Sequence, residues 1–474
     1  MFFPLFTLIF VVTLSVAFSA GPRQALWMCW LPVMLLAPVW LVAGVGSVVL
    51  DFRTAASMAA ILGFLLNSSR SKRTGWSYAD ALIIGVVVVQ LVSQYQTGNL
   101  RPMTPLEIGR KWLLPYIMGR WFLGTADDLA AALPYIGRVL IVLTVLAVFE
   151  CVSKINPLNT ILGKTYALLE QGEGYRWGLK RAHVMFDHPI FFGMALVLML
   201  PWALEAMSQS FAGKGPHWWR FLPVAMAASL FATVSRGPQI ASIATMGVYF
   251  FFRLKSLRLP LFVVAVIVGL IGYTQRHEII DLLSQFAGEK NVEEIRYIEI
   301  EGEEVEYSGT THRVLLFRVY AEAIRNAGLF GYGYELKGVS IDESLAQRFG
   351  SIDCHYLLFL LQNGYLGCGA FIILTLGIIL NLARLAWRTE YSQSALAGGL
   401  CGSLAGVAVL LISVWFSPDF AGVWLFSAGL AASLPSLIPS EATRETETIA
   451  GSLPATDTPR PTDPLRPAHA PIRN

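Results

Sequence analysis

Apolar residues in this chain are gathered into runs mostly about 16 to 22 residues long, the length a helix needs to cross a hydrocarbon core of about 30 Å. They fall at 2–20, 26–50, 54–67, 79–95, 111–124, 133–151, 189–208, 218–235, 238–253, 257–274, 356–383, 396–415 and 419–438. The pattern predicts an all-α fold, a polytopic transmembrane bundle of twelve or thirteen helices. Its count is open only over 26–67, where Asp51 and Arg53 interrupt the apolar pattern and sit either at a short outer turn or inside a broken helix.

Short loops rich in Lys and Arg stay in the cytoplasm, and three loops carry that signature. They are Arg70, Lys72 and Arg73; Arg253, Lys255 and Arg258; and Arg384 and Arg388. The six runs between 79 and 253, and the two between 257 and 383, return the chain to one side each time. Residues 1–274 then hold the first ten or so helices, 275–355 form an extracytoplasmic segment, and 356–438 hold the last helices. Residues 439–474 are rich in Pro, Thr, Ala and Glu with no apolar period, which predicts a disordered cytoplasmic tail. Residues 2–20 lack a basic n-region and read as a retained first helix.

Composition agrees with this class. Of 474 residues, 55% are hydrophobic and 14% charged, too few charges to cover a soluble domain. A net charge of +3 implies no polyanionic partner, so no nucleic acid is expected. The five cysteines are dispersed without a CxxC or Cys/His cluster, so neither a disulfide framework nor a cysteine metal site is expected. No internal repeat is visible, which disfavours the inverted-repeat transporters.

The segment 275–355 is the extended polar region outside the tail. Residues 275–352 carry Asp281, Asp342 and twelve glutamates against eight Lys or Arg. From Tyr297 to Tyr307 apolar and acidic residues alternate around Gly302, the pattern of a small exposed β-hairpin. From Thr311 to Asn326, Val314, Phe317, Tyr320, Ala321 and Ile324 recur at helical spacing, which predicts an amphipathic helix near the membrane face, with Arg313, Arg318 and Arg325 along it. A glycine-punctuated turn, Gly328 to Gly333, follows, and His355 stands immediately before the next apolar run.

Three residues stand out for chemistry. Arg236, in the tight Ser235-Arg-Gly-Pro238 turn, is either a snorkelling interface arginine or a functional one. Arg313 alone reads as a solvated helix-start residue and His355 alone as an interfacial histidine. Together, two arginines and an imidazole at one membrane face suit an anionic, lipid-linked phosphate donor and base chemistry near neutral pH. His183, Asp187 and His188 invite a metal reading, but Pro189 and the span after it make a helix-start signal at least as good. No DxD occurs, which argues against metal-bridged nucleotide-sugar chemistry. No metal or cofactor is expected.

The order of these motifs resembles the O-antigen ligase and O-antigen polymerase superfamily of bacterial envelopes. The resemblance rests on Ser235-Arg236-Gly237 between two helices, Arg313 four residues before Phe317, Gly331-Tyr-Gly333, and His355 with the run Leu357 to Gly367. It covers roughly 185–385, and one departure is Tyr356, where the family often has asparagine. The resemblance implies a metal-independent, inverting glycosyltransferase of the bacterial inner membrane, with its active site on the periplasmic side. Its donor would be an undecaprenyl-pyrophosphate-linked glycan and its acceptor lipid A core or another glycan. Arg236 and Arg313, with Arg318 as a weaker addition, would bind the pyrophosphate, and His355 would act on the acceptor hydroxyl. Two readings from other classes stay open: a transporter or flippase of lipid-linked oligosaccharide, and a non-catalytic scaffold of a polysaccharide export complex.

Overall fold

In the computed structural model, the structure describes residues 3–38, 40–45, 48–67, 75–163, 174–275, 296–300, 302–307, 309–339, 341, 345, 349–389 and 391–437. The tail expected at 439–474 and the basic residues at 70–73 lie outside the described residues. The fold is an all-α polytopic bundle with three two-stranded hairpins at its margins. Among the described residues, six helices are long and apolar enough to cross a membrane, and shorter apolar helices accompany them.

The N-terminal part holds α1 (Phe3–Ser19), α2 (Pro22–Ala25), a π turn (Leu26–Trp30), α3 (Leu31–Leu36) and α4 (Phe52–Leu66). The apolar run 26–50 is therefore not one helix. It ends at Leu36 because Ala37 precedes Pro38, and a residue before proline is pushed out of the α region; Ala37 is extended, with φ −92° and ψ 125°. The valine-rich remainder forms a hairpin of β1 (Val42–Val45) and β2 (Val48–Asp51). Asp51 closes it by capping α4, its side chain accepting from the Thr54 N–H at 2.6 Å. Asp51 thus stands at the turn from β2 into α4, and Arg53 in the first turn of that helix.

Next come α5 (Tyr78–Gln96), α6 (Thr104–Trp121), α7 (Ala126–Ser153) and α8 (Pro157–Leu162). Capping boxes start two of them, Ser77 with Asp80 and Thr125 with Asp128. After the small hairpin β3 (Tyr175–Arg176) and β4 (Leu179–Lys180) follow α9 (Pro189–Phe211), α10 (Leu222–Ala232), α11 (Arg236–Arg253) and α12 (Arg258–Thr274). The polar segment contributes β5 (Arg296–Ile300), β6 (Glu303–Tyr307), α13 (Gly309–Val319) and α14 (Ala321–Asn326). The chain finishes with α15 (His355–Arg388), α16 (Tyr391–Leu410) and α17 (Pro418–Leu437).

In lipid, helices gain little from apolar burial against one another, so close backbone approach through small residues carries the packing. A stripe of Gly398, Gly402 and Gly406 on α16 does this against α11. Side chains added there would meet Phe252, Val248 and Thr245, and Ala241 respectively. The stripe runs antiparallel to α11 and ends where Gly237 packs on Leu410. A second crossing pairs Gly119 of α6 with the backbone of Phe426 and Leu430, and Gly429 of α17 with the backbone of Tyr116 and Arg120.

The helix α15 is interrupted at Gly364, whose φ of 65° and ψ of −170° break the ladder. The glycine turn of the polar segment fills the gap. Tyr332 N–H donates to Leu361 O at 2.7 Å and Gly333 N–H to Gln362 O at 3.1 Å. In return, Tyr365 and Leu366 N–H donate to Gly328 O and Leu329 O at 3.0 and 3.1 Å. Backbone groups freed by the break are thus satisfied by protein, as burial away from water requires.

The polar segment has its own small core. Ile298 and Ile300 of the hairpin, Leu315, Leu316 and Tyr320 of the helix, and Phe349 and Ile352 pack on Leu357 and Leu361 of α15. The expected hairpin is present, turning at Gly302 with φ 83°. The expected helix over 311–326 is two helices, divided at Tyr320.

Candidate functional site

Two of the basic loops meet at one end of the bundle, where the Arg258 guanidinium lies 5.8 Å from the Trp387 ring. The antiparallel register of α11 and α16 puts Arg236 and the turn after Leu410 at the other end. His355 is there too. As the first residue of α15 its N–H has no partner within the helix, and it donates instead to Leu411 O at 2.9 Å and Val414 O at 3.1 Å. The Tyr356 hydroxyl adds a bond to Ala408 O at 2.8 Å. Arg236 and His355 therefore flank one stretch of chain, Leu410 to Val414, whose position the glycine stripe sets.

The His355 ring is 3% exposed. It stands among Phe359, Phe371 and Phe416 at centroid distances of 5.2, 4.9 and 4.9 Å. Its Nε2 is buried and has no hydrogen-bond partner. A buried polar atom without a partner calls for an explanation, such as a missing water, ion or ligand group.

His355 lines a cavity of about 520 Å³, within the usual range for ligand sites. Its lining is apolar and aromatic at Trp112, Phe359, Phe416 and Leu425, and also carries the amides of Gln90, Gln94 and Asn363. Four cations line it, Arg53, Arg101, Arg110 and Lys111, with three acids, Asp51, Glu107 and Glu335. The turn after α5 and the polar segment close its rim. Lys337 Nζ donates to Asn99 Oδ1 at 2.6 Å, and Gln362 Nε2 to Tyr334 O at 3.4 Å.

None of the three arginines singled out in the sequence lines this cavity. Arg236 is half-buried at the start of α11. Arg313 is exposed on α13, next to His312, which stacks on Phe349 at 4.9 Å. Arg318 is paired with Glu303 of the hairpin. That pair holds the Glu303 carboxyl below the usual carboxylate range, first by the hydrogen bond and then by charge. Burial lowers the His312 imidazole, with Asp353 opposing and Arg313 reinforcing.

The cluster His183, Asp187 and His188 has other work. His188 caps α9, its Nδ1 accepting from the Ile190 N–H at 3.1 Å. Burial, with Arg181 and other cations nearby, pushes its imidazole down to about 3, so it is neutral and able to accept. His183 lies 3.3 Å from the fully buried Glu150, which also takes the N–H groups of His183 and Val184.

Sequence reasoning missed the cavity's cations. In the sequence Arg53 marks only an interruption of the apolar pattern, whereas its guanidinium donates to Asp419 O at 2.9 Å and Ala37 O at 3.1 Å. Arg110 pairs with Asp51 at 3.1 Å. The available signal was the Arg110-Lys111-Trp112 sequence opening an apolar run at the same end as His355.

Residues 221–372 match the family model for O-antigen ligase. The matched stretch is less than half of the chain and contains Arg236, Arg313, Arg318, the glycine turn and His355. No curated protein matches the chain.

Proposed function

We propose that this protein, a membrane glycosyltransferase of the ligase or polymerase type in the O-antigen ligase and polymerase superfamily, moves a glycan from undecaprenyl pyrophosphate to an acceptor sugar hydroxyl on the periplasmic face of the bacterial inner membrane. The observation that carries the reading is His355: a buried imidazole with an unpartnered Nε2, on the wall of a cavity, at the end of the bundle where α11 begins with Arg236.

In this reading the acceptor oxygen attacks the anomeric carbon while the bond from that carbon to the pyrophosphate oxygen breaks. The configuration inverts, the proton of the hydroxyl passes to His355, and the lipid leaves as its pyrophosphate. The departing group gains negative charge, which fixed guanidinium groups stabilise most in the transition state. Arg236 and Arg313 take that part. Arg318 contributes from the margin, because Glu303 already holds it. Metal independence belongs to the proposal, since the arginines supply the charge a divalent ion would supply. A base placed at the acceptor oxygen contributes typically about 10² to 10⁴ fold.

Transfer from a purified undecaprenyl-pyrophosphate glycan to lipid A core or to a second lipid-linked glycan tests the proposal and separates ligase from polymerase. His355→Ala and His355→Gln should both lose transfer while still binding the donor, because an amide hydrogen-bonds but does not take the proton. Turnover near that of the native protein by His355→Gln would withdraw the base role.

A further inference from the structure

We infer that the cavity beside His355 is the acceptor site and that it selects a sugar carrying a negative charge, a phosphate or carboxylate substituent. The inference rests on the reading of His355 as the group that meets the acceptor hydroxyl. It goes beyond that reading by naming what the acceptor carries and which residue detects it.

The lining has the two characters a sugar requires. A pyranose offers an apolar C–H face and an edge of hydroxyls. Trp112 and Trp415 supply flat apolar surface, while Gln90, Gln94 and Asn363 supply amides that both donate and accept. A polyprenyl chain would have no use for that wall of amides. The three arginines assigned to the donor pyrophosphate are outside the lining, so the cavity's own cations are left to serve something else.

Most of those cations are already engaged. Arg110 is held by Asp51 at 3.1 Å, Arg101 by Glu335 at 4.0 Å, and Arg53 donates to main-chain carbonyls of Asp419 and Ala37. Lys111 is different. Its ammonium lies 5.8 Å from the centre of the Tyr334 ring and has no ion-pair partner among the described residues. Its side chain is exposed, so an anion arriving in the cavity would find an ammonium that holds no salt bridge, although Glu107 and Asp51 lie within its field. It also adjoins Trp112 in sequence, and both residues line the cavity from one turn of α6. A neutral hydroxyl would gain only an ordinary hydrogen bond from such a lysine, whereas a phosphate or carboxylate would gain a stronger one between opposite charges.

Isothermal titration of the full chain in lipid nanodiscs, with glucose 6-phosphate, glucuronate, glucose and inorganic phosphate as probes, tests this without donor or turnover. Glucose 6-phosphate and glucuronate should each bind about tenfold more tightly than glucose, the size of one charge-assisted hydrogen bond. Inorganic phosphate, which lacks the sugar face, should bind more weakly than glucose 6-phosphate. Lys111→Gln should erase the preference, bringing both charged sugars to the affinity of glucose in the same variant, and Lys111→Arg should keep most of it. Equal affinity for the charged and neutral sugars would overturn the inference. So would a preference that survives Lys111→Gln, which places the anion on other cations, or inorganic phosphate binding as tightly as glucose 6-phosphate, which removes the sugar from the recognition. Failure of the His355 reading would appear in the transfer assay alone, so the two results are separable.

Discussion

Replacing Gly331 with alanine separates two costs that the glycine turn avoids. Gly331 has φ 72°, and a side chain there would lie 2.5 Å from Gly364 N and Leu361 O, both backbone atoms inside the break of α15. Gly328, three residues earlier, has φ 61° and nothing within 4 Å of the same position. For alanine the left-handed conformation alone costs roughly 1–2 kcal/mol. Forcing a methyl group into packed backbone adds about 1–3 kcal/mol. Gly328→Ala should therefore lose about 1–2 kcal/mol, and Gly331→Ala about 2–5 kcal/mol. Thermal and denaturant unfolding of both purified variants, followed by circular dichroism, gives the comparison. The transfer assay should show the same order, because displacing the turn disturbs the four backbone bonds that hold α15 nine residues after His355. If the two variants fall within about 0.5 kcal/mol of each other, the close approach at the break contributes nothing and the account of the broken helix is wrong.

Two further outcomes follow from the site. Arg236→Lys should lower kcat by about tenfold or more with unchanged expression, since an ammonium does not reproduce a planar guanidinium fork; transfer kinetics near native would remove Arg236 from the pyrophosphate. The Glu303 carboxyl is held below its ordinary range in the folded chain, so the link between hairpin and α13 is fully present above the unfolded carboxylate pKa and is lost as pH falls through the lower folded value. Hydrogen exchange of residues 296–307 during acid titration should rise in that window, and Glu303→Gln should abolish the step.

Some of this architecture is legible in the chain and some is not, for identifiable reasons. The hairpin at 296–307 follows from strict alternation around Gly302, a period that helices cannot mimic. The starts of α11 at Arg236 and of α15 at His355 follow from polar residues abutting apolar runs. The run 26–50 misleads because continuous apolarity has no period, and only Pro38 marks where the helix must stop. The break at Gly364 is hidden for another reason: Gly367 and Gly369 follow it closely, and nothing in their spacing says which glycine receives the turn that docks from thirty residues upstream. The cavity is least legible of all. Its cations come from α4, α6 and the turn before α6, and each looks like an ordinary helix-start residue until the fold sets it beside His355.

The glycine stripe of α16 has a consequence for inheritance and engineering. From Gly398 to Leu410 the helix rises roughly 18 Å, so the first of these contacts is far from the cavity and touches no substrate. Yet the stripe works as a ruler: it fixes how far α11 slides along α16, and hence where Arg236 stands relative to the carbonyls that hold His355. Enlarging one of its glycines should shift Arg236 against His355, and with them the chemistry proposed above, rather than merely loosen a bundle. On the proposed function, loss of turnover should therefore arise also from positions within the helix packing that any search confined to the cavity would pass over.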